Sequence, residues 1–304
     1  MLTKFSEGFS SKLAEQWVTN LLTPAFVFWF GGFAAALQRF GWQKLVGWFL
    51  KLPDQSLQIA VLIVGFGAIA ISAFVVQRFD LAILRLLEGY WPSWLSWLHK
   101  PFLQKQQYRR NRIREKLRSL NDRGIAQLHS FEKTQHFQLN RQWRQTPSAD
   151  DLLPTRLGNI LRAAERQPQR KYGLDAVICW PRLWLLLPDA AKQDLQAARA
   201  DLNTAARVWL WSLLFCGWVF VAWNPTKPFL INLLALWPLL GLLSAWLAYQ
   251  WAIAAAQIYG ELVEASFDLY RHLLYQSLRW QLPADPKVER RVGQELTRYL
   301  WRGF

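Results

Sequence analysis

The chain is poor in the side chains that build metal and redox sites. Its 304 residues hold two cysteines, one methionine and four histidines. Cys179 and Cys216 make no metal or redox spacing, and no disulfide is expected between them. His99, His129, His136 and His272 all lie outside the apolar segments, which leaves no intramembrane histidine for haem. His-x-x-x-His, Cys-x-x-Cys and Gly-x-Ser-x-Gly are missing, and no glycine-rich phosphate loop follows a strand. The chain is therefore expected to be no enzyme and to carry no cofactor and no metal.

Charge is also missing, in four places. Gln16–Gln38, Gln55–Gln77, Val208–Thr226 and Pro228–Gly260 contain no Asp, Glu, Lys or Arg over 23, 23, 19 and 33 residues. A hydrocarbon core ~30 Å thick takes about 20 helical residues to cross. The runs show no strand alternation, and a helix pairs every backbone group within itself. The expected fold class is all-α: an integral membrane protein with four transmembrane helices and a helical cytoplasmic domain. An Ala34-x-Ala36 pattern resembles a signal-cleavage site, but the segment before it carries Glu7 and Glu15, so the first run reads as a retained span.

The mean hydropathy of +0.02 conceals two populations. Between the second and third runs, Arg78–Arg207 carries 23 Lys/Arg against 12 Asp/Glu, most of the chain's net +15. Such a balance in a soluble protein points to nucleic acid, but no nucleic-acid-binding motif accompanies it. Between two spans it fits a loop retained in the cytoplasm. Both termini are then cytoplasmic and the expected location is the cell inner membrane. Four segments follow: residues 1–100 with spans one and two, a basic insert at 101–188, spans three and four with their extensions at 189–282, and a last helix at 283–304.

Local patterns fill in this outline. Leu2, Phe5, Phe9, Leu13 and Trp17 recur at steps of three and four, an amphipathic helix suited to a membrane surface. Gly31, Gly32 and Ala34–Ala36 in span one, and Gly65, Gly67, Ala68, Ser72 and Ala73 in span two, are small enough for close helix approach in lipid. Trp91, Trp94 and Trp97 read as an interfacial anchor, with base or sugar stacking as the alternative. Ile113, Leu117, Leu120, Gly124 and Phe131 mark the apolar side of a polar helical stretch that Asn121–Gly124 divides into a hairpin. Leu157, Leu161 and Ala164 share one face of a short helix, and the apolar segment 174–187 is broken at Pro181. Asp189 and Asp285 are the expected helix starts farther on. The fourth span is expected to run from Phe229 past Leu278, kinked at Pro238, about 75 Å in all.

Three groups of residues invite a function. Gln250, Ala254, Gln257, Glu261, Glu264, Asp268 and Arg271 form one stripe on helix four. Carboxylates repeated around a symmetric axis make a cation vestibule, whereas in a single chain they pair with the basic insert. Arg156, Arg162, Arg166, Arg170, Lys171 and Arg182 surround a turn-rich joint and are candidates for an anionic ligand such as a nucleotide; the bland reading sets Arg156 and Arg162 against Glu165 and Asp175. Arg109, Arg110, Arg112 and Arg114 lie on one basic helix suited to anionic inner-leaflet lipid. The order of two spans, a long helical section and two more spans resembles bestrophin-type chloride channels in outline, without that family's residue motifs. The leading expectation is a homo-oligomeric ion channel with a cytoplasmic regulatory domain. Its alternative is a non-conducting scaffold or signalling adaptor that recruits a partner or anionic lipid through the insert.

Overall fold

The computed structural model describes residues 23–224 and 236–303, and every regular element in them is helical. The amphipathic segment Met1–Trp17, the start of the first charge-free run and residues 225–228 of the expected outer hairpin lie outside the described residues. Residues 23–40 form α1. It is followed by α2 (Trp42–Leu50), α3 (Gln55–Arg78), α4 (Asp80–Glu88), α5 (Ser96–Asp122) and α6 (Ser130–Arg144). Next come α7 (Arg156–Tyr172), α8 (Ala176–Leu186), α9 (Asp189–Phe215), α10 (Trp218–Ala222), α11 (Trp237–Ser277) and α12 (Pro286–Arg302). Three helical segments are long and apolar enough to cross a membrane: Gln55–Arg78, Asp189–Ala222 and Trp237–Ser277.

The chain divides into two compact units, each drawn from two stretches of sequence: Met1–Leu84 with Asn203–Trp251, and Arg85–Leu202 with Ala252–Phe304. In the first, Ala25, Ala73 and Trp211 form a small buried cluster. The Phe28 ring lies 4.8 Å from both Trp211 and Trp218. The Trp218 indole N–H donates to the Phe28 carbonyl at 2.9 Å. Gly31 and Gly32 make room for this packing, since a Cβ at either would overlap the ring of Phe215 or Trp218. Their small size is thus spent inside the chain. By contrast only Ala73 of α3 is buried, and Gly65 and Gly67 have open space beside them. Arg207 makes a two-point ion pair with Asp80, with Nε 2.7 Å from the carboxylate.

Among the described residues the second unit holds two buried cores. Ile113, Leu117 and Leu120 of α5 pack against Leu128 and Leu139, so α5 and α6 form a helical hairpin. Asn121 bonds His136, and Arg110 lies over Trp143, a crossed order of contacts that makes the pair antiparallel. The break falls at Arg123–Gly124, as the Asn121–Gly124 turn predicts. Phe131 does not join this core: it is 79% exposed. The larger core gathers Leu174, Cys179, Leu183, Leu195, Phe267 and Leu296 from α8, α9, α11, α12 and the turn before α8.

Helix ends follow their local chemistry. The Thr155 hydroxyl accepts from the Gly158 amide, and the carboxylates of Asp175 and Asp285 accept from the first turns of α8 and α12. Pro286 occupies the first turn of α12, where a missing N–H costs nothing. One expectation about proline is corrected. Pro181 lies inside α8 and does not interrupt it; the acceptor it cannot serve belongs to Val177, which is 69% exposed and open to solvent. Pro238 sits in the first turn of α11, where a proline removes no helical hydrogen bond, and the expected start of that span at residues 229–235 lies outside the described residues. Helix α11 also ends earlier than expected, at Ser277, followed by Arg279 at φ 58°.

Candidate anion-binding cleft

The heptad-like face of α5 determines which of its arginines meet another helix. Ile113 is buried toward α6, and Arg109 and Arg110 stand four and three residues before it on the same side. Arg110 is held at two points: its Nε donates to the Pro147 carbonyl at 3.2 Å, and its guanidinium lies 5.0 Å from the Trp143 ring centroid. Arg112 and Arg114 project away from this side and are exposed. The four-arginine group read from sequence is therefore split in two by helical phase.

Across from Arg109 and Arg110 stands Arg156, in the first turn of α7. The three arginines line one narrow cavity with Gln142, Gln145 and Asn159, about 20 Å³ and so little more than one water in capacity. Asn159 is buried and fastens the joint before α7, accepting from the Leu153 amide at 2.8 Å and donating to its carbonyl at 2.9 Å. A second, larger cavity of about 420 Å³ shares Arg110 and Thr146 with the first and adds Trp143, Arg144 and Arg170. None of the residues lining either cavity is Asp or Glu. Arg170 is among the cations that the sequence already offers to an anionic ligand, whereas Arg144 escapes a motif-based reading because it looks like an ordinary cation in the last turn of α6.

The other arginines named from sequence are engaged elsewhere. Arg162 lies 3.5 Å from Glu165 and 3.8 Å from Asp151, and Arg166 holds Asp151 at 2.9 Å. Burial raises the Asp151 pKa, but the hydrogen bonds from Arg166 and Ser148 and the two arginine charges outweigh it, leaving this carboxyl below its ordinary range. Arg182 donates to the Ile178 carbonyl at 2.7 Å. Asp175 does not meet Arg156 or Arg162, because its carboxylate caps α8.

The acidic stripe of α11 faces the basic insert within the same unit. Gln257 donates to Gln145 at 3.0 Å, and Glu261 accepts from Arg141 at 2.9 Å. Asp268 accepts from Lys171 at 3.0 Å and from the Tyr172 hydroxyl at 2.7 Å. That hydroxyl is pushed up to about 12, by burial first and then by its bond to the Asp268 carboxylate. Glu264, half-buried, lies in the field of Lys171 and Arg144, and Gln250 is exposed. Arg271 closes the stripe by pairing with Glu289 at 2.7 Å while lying 4.0 Å over the Tyr172 ring. These contacts are the arrangement expected if the stripe binds the insert. They engage Arg141 and Lys171, and no carboxylate lines either of the two basic cavities. Among the described residues no cluster of three metal-ligating side chains occurs.

Comparison with protein-family models, with curated proteins and with solved structures gives no match. The outline resembling bestrophin-type channels therefore rests on the order of its segments alone.

Proposed function

We propose that the protein is a multi-pass membrane adaptor with cytoplasmic termini, whose helical cytoplasmic unit binds a phosphate-bearing anion. The observation that carries this reading is the convergence of Arg109, Arg110, Arg144, Arg156 and Arg170 on two adjoining cavities with no acidic residue in their walls. Guanidinium groups bind phosphate oxygens through paired charge-assisted hydrogen bonds, and the Arg110 head is already oriented by Pro147 and Trp143. The phosphate belongs either to an anionic inner-leaflet lipid or to a soluble ligand. Full-length protein in neutral-lipid nanodiscs is titrated with inorganic pyrophosphate, then compared in nanodiscs containing phosphatidylglycerol. Pyrophosphate binding that falls at least tenfold in the Arg110→Gln/Arg156→Gln variant supports the cleft. Competition by the anionic lipid identifies a headgroup as the ligand. Binding unchanged in the variant refutes the assignment.

A homo-oligomeric pore is the second reading, favoured by the uncovered flank of α3 with Gly65 and Gly67 open to a neighbour. It predicts ring symmetry of the particle in lipid and ion flux in liposomes. The pairing of Glu261 and Asp268 within the chain argues against a vestibule lined by free carboxylates. Neutralising Glu261, Glu264 and Asp268 together leaves selectivity unchanged on the adaptor reading and lowers cation selectivity on the pore reading.

A further inference from the structure

A separate cavity of about 280 Å³ opens in the second unit between α7, α8, α9 and α11, near the size of pockets that take small ligands. Its walls are mainly apolar, with Leu161, Val263 and the Trp180 indole prominent. Four polar side chains line it: Glu88, Glu165, Arg199 and Tyr259. They differ in how well they are satisfied. Glu165 lies 3.5 Å from Arg162, and the Arg199 guanidinium stacks 5.5 Å from the Tyr259 ring centroid. The Glu88 carboxylate has neither a hydrogen bond nor an ion pair among the described residues.

We infer that this cavity binds a small organic amine, its ammonium group on the Glu88 carboxylate and its apolar body against Trp180, Leu161 and Val263. The charges select the ligand. Glu165 is matched by Arg162 and Arg199 stacks on the Tyr259 ring, so the lining charge left to meet a ligand is the Glu88 carboxylate, which calls for a cation. No third metal-ligating side chain joins Glu88 and Glu165 among the described residues, which favours an organic cation over a metal ion. The apolar walls favour a ligand with a hydrocarbon body over a hydrated inorganic ion. Burial pushes the Glu88 carboxyl above its ordinary range, and the Glu165 charge adds to this against the opposing arginines Arg199, Arg85 and Arg162. An ammonium at this position relieves both penalties, as a counter-charge does for any half-buried carboxylate. The site shares no lining residue with the basic cleft, so it stands whether or not that cleft binds phosphate.

The probe is isotopically labelled phenethylamine, dialysed against full-length protein in neutral-lipid nanodiscs with empty nanodiscs as the partition control. Its neutral counterpart is 2-phenylethanol. The amine is expected to be retained at least tenfold more tightly than the alcohol. Glu88→Gln, which keeps shape and removes charge, lowers retention of the amine at least tenfold and leaves that of the alcohol unchanged. Val177→Trp, which places bulk at the exposed rim, blocks both ligands while the thermal midpoint of the chain stays near that of the parent. Equal retention of amine and alcohol overturns the inference. So does amine binding that survives Val177→Trp, or no retention above empty nanodiscs.

Discussion

Three glycines allow the docking of the last helix to be dissected. Gly173 ends α7 at φ +74°, and a Cβ there would fall on the Arg290 carbonyl oxygen of α12. Gly293 lies inside α12 in ordinary helical conformation, and its Cβ would fall on the Tyr172 carbonyl oxygen. Gly303 ends α12 at φ +83° with nothing within 4 Å. Alanine at Gly303 therefore adds only left-handed strain, about 1–2 kcal/mol. At Gly293 it adds a backbone clash of about 1–3 kcal/mol, offset by about 1 kcal/mol of improved helix propensity. At Gly173 strain and clash add with no offset, about 2–5 kcal/mol. The assay is amide hydrogen exchange of residues 286–302 in the full chain held in nanodiscs, where each ~1.4 kcal/mol of lost protection accelerates exchange about tenfold. Gly173→Ala is expected to expose the whole of α12 by about 30-fold or more. Gly293→Ala has a smaller effect over the same residues, and Gly303→Ala affects only the last turn. Equal effects at Gly173 and Gly303 would refute the close approach of α7 and α12. Slower exchange in Gly293→Ala would refute it too, since propensity alone would then be acting.

The Asp80–Arg207 pair, with side chains 18% and 11% exposed, is expected to show a coupling of about 2 kcal/mol or more in a double-mutant cycle of Asp80→Asn and Arg207→Met. Additive losses in detergent unfolding would remove its role. Asp151, with its folded-state pKa held below the ordinary 3.8, contributes stability above that value and loses it as pH falls through the folded pKa. Asp151→Asn should thus lower the unfolding midpoint at pH 7 and match the parent in strong acid; a pH-independent difference contradicts the Arg166 pairing. Burial pushes the Cys179 thiol up to about 11, against a weaker opposing hydrogen bond with Thr297, so at pH 8 only about one molecule in a thousand carries the thiolate. Peptide mapping after iodoacetamide treatment should find Cys179 unmodified in the native chain and modified in Gly173→Ala. Rapid native labelling would show that α12 does not cover it.

Features governed by near neighbours in sequence were legible before the structure. Asp285-Pro286 starts α12 because a carboxylate cap and a first-turn proline act within three residues. Leu157, Leu161 and Ala164 are buried together because helical periodicity places them on one face. Pro181 misleads because the cost of a helical proline depends on whether the abandoned carbonyl reaches water, which sequence does not reveal. Gly31 and Gly32 read as a surface for another helix, yet Phe215 and Trp218, about 185 residues later, occupy that space. Glu88 attracts no notice in sequence, and its interest comes entirely from the cavity around it.

Composition and spacing by themselves determined the helical class, the charge-free segments, the caps and the excess of cations in the insert. Each depends on backbone hydrogen bonding, helical phase or simple counting, which act over a turn or two of helix. Only the tertiary structure decided which charges meet and which line the basic cavities. Glu261 meets Arg141 across 120 residues of sequence and Asp268 meets Lys171 across 97, while Arg109, Arg110 and Arg156 face cavities with no carboxylate. Electrostatic energy falls with distance in space, so the same 36 cations and 21 anions admit many pairings until the fold selects one.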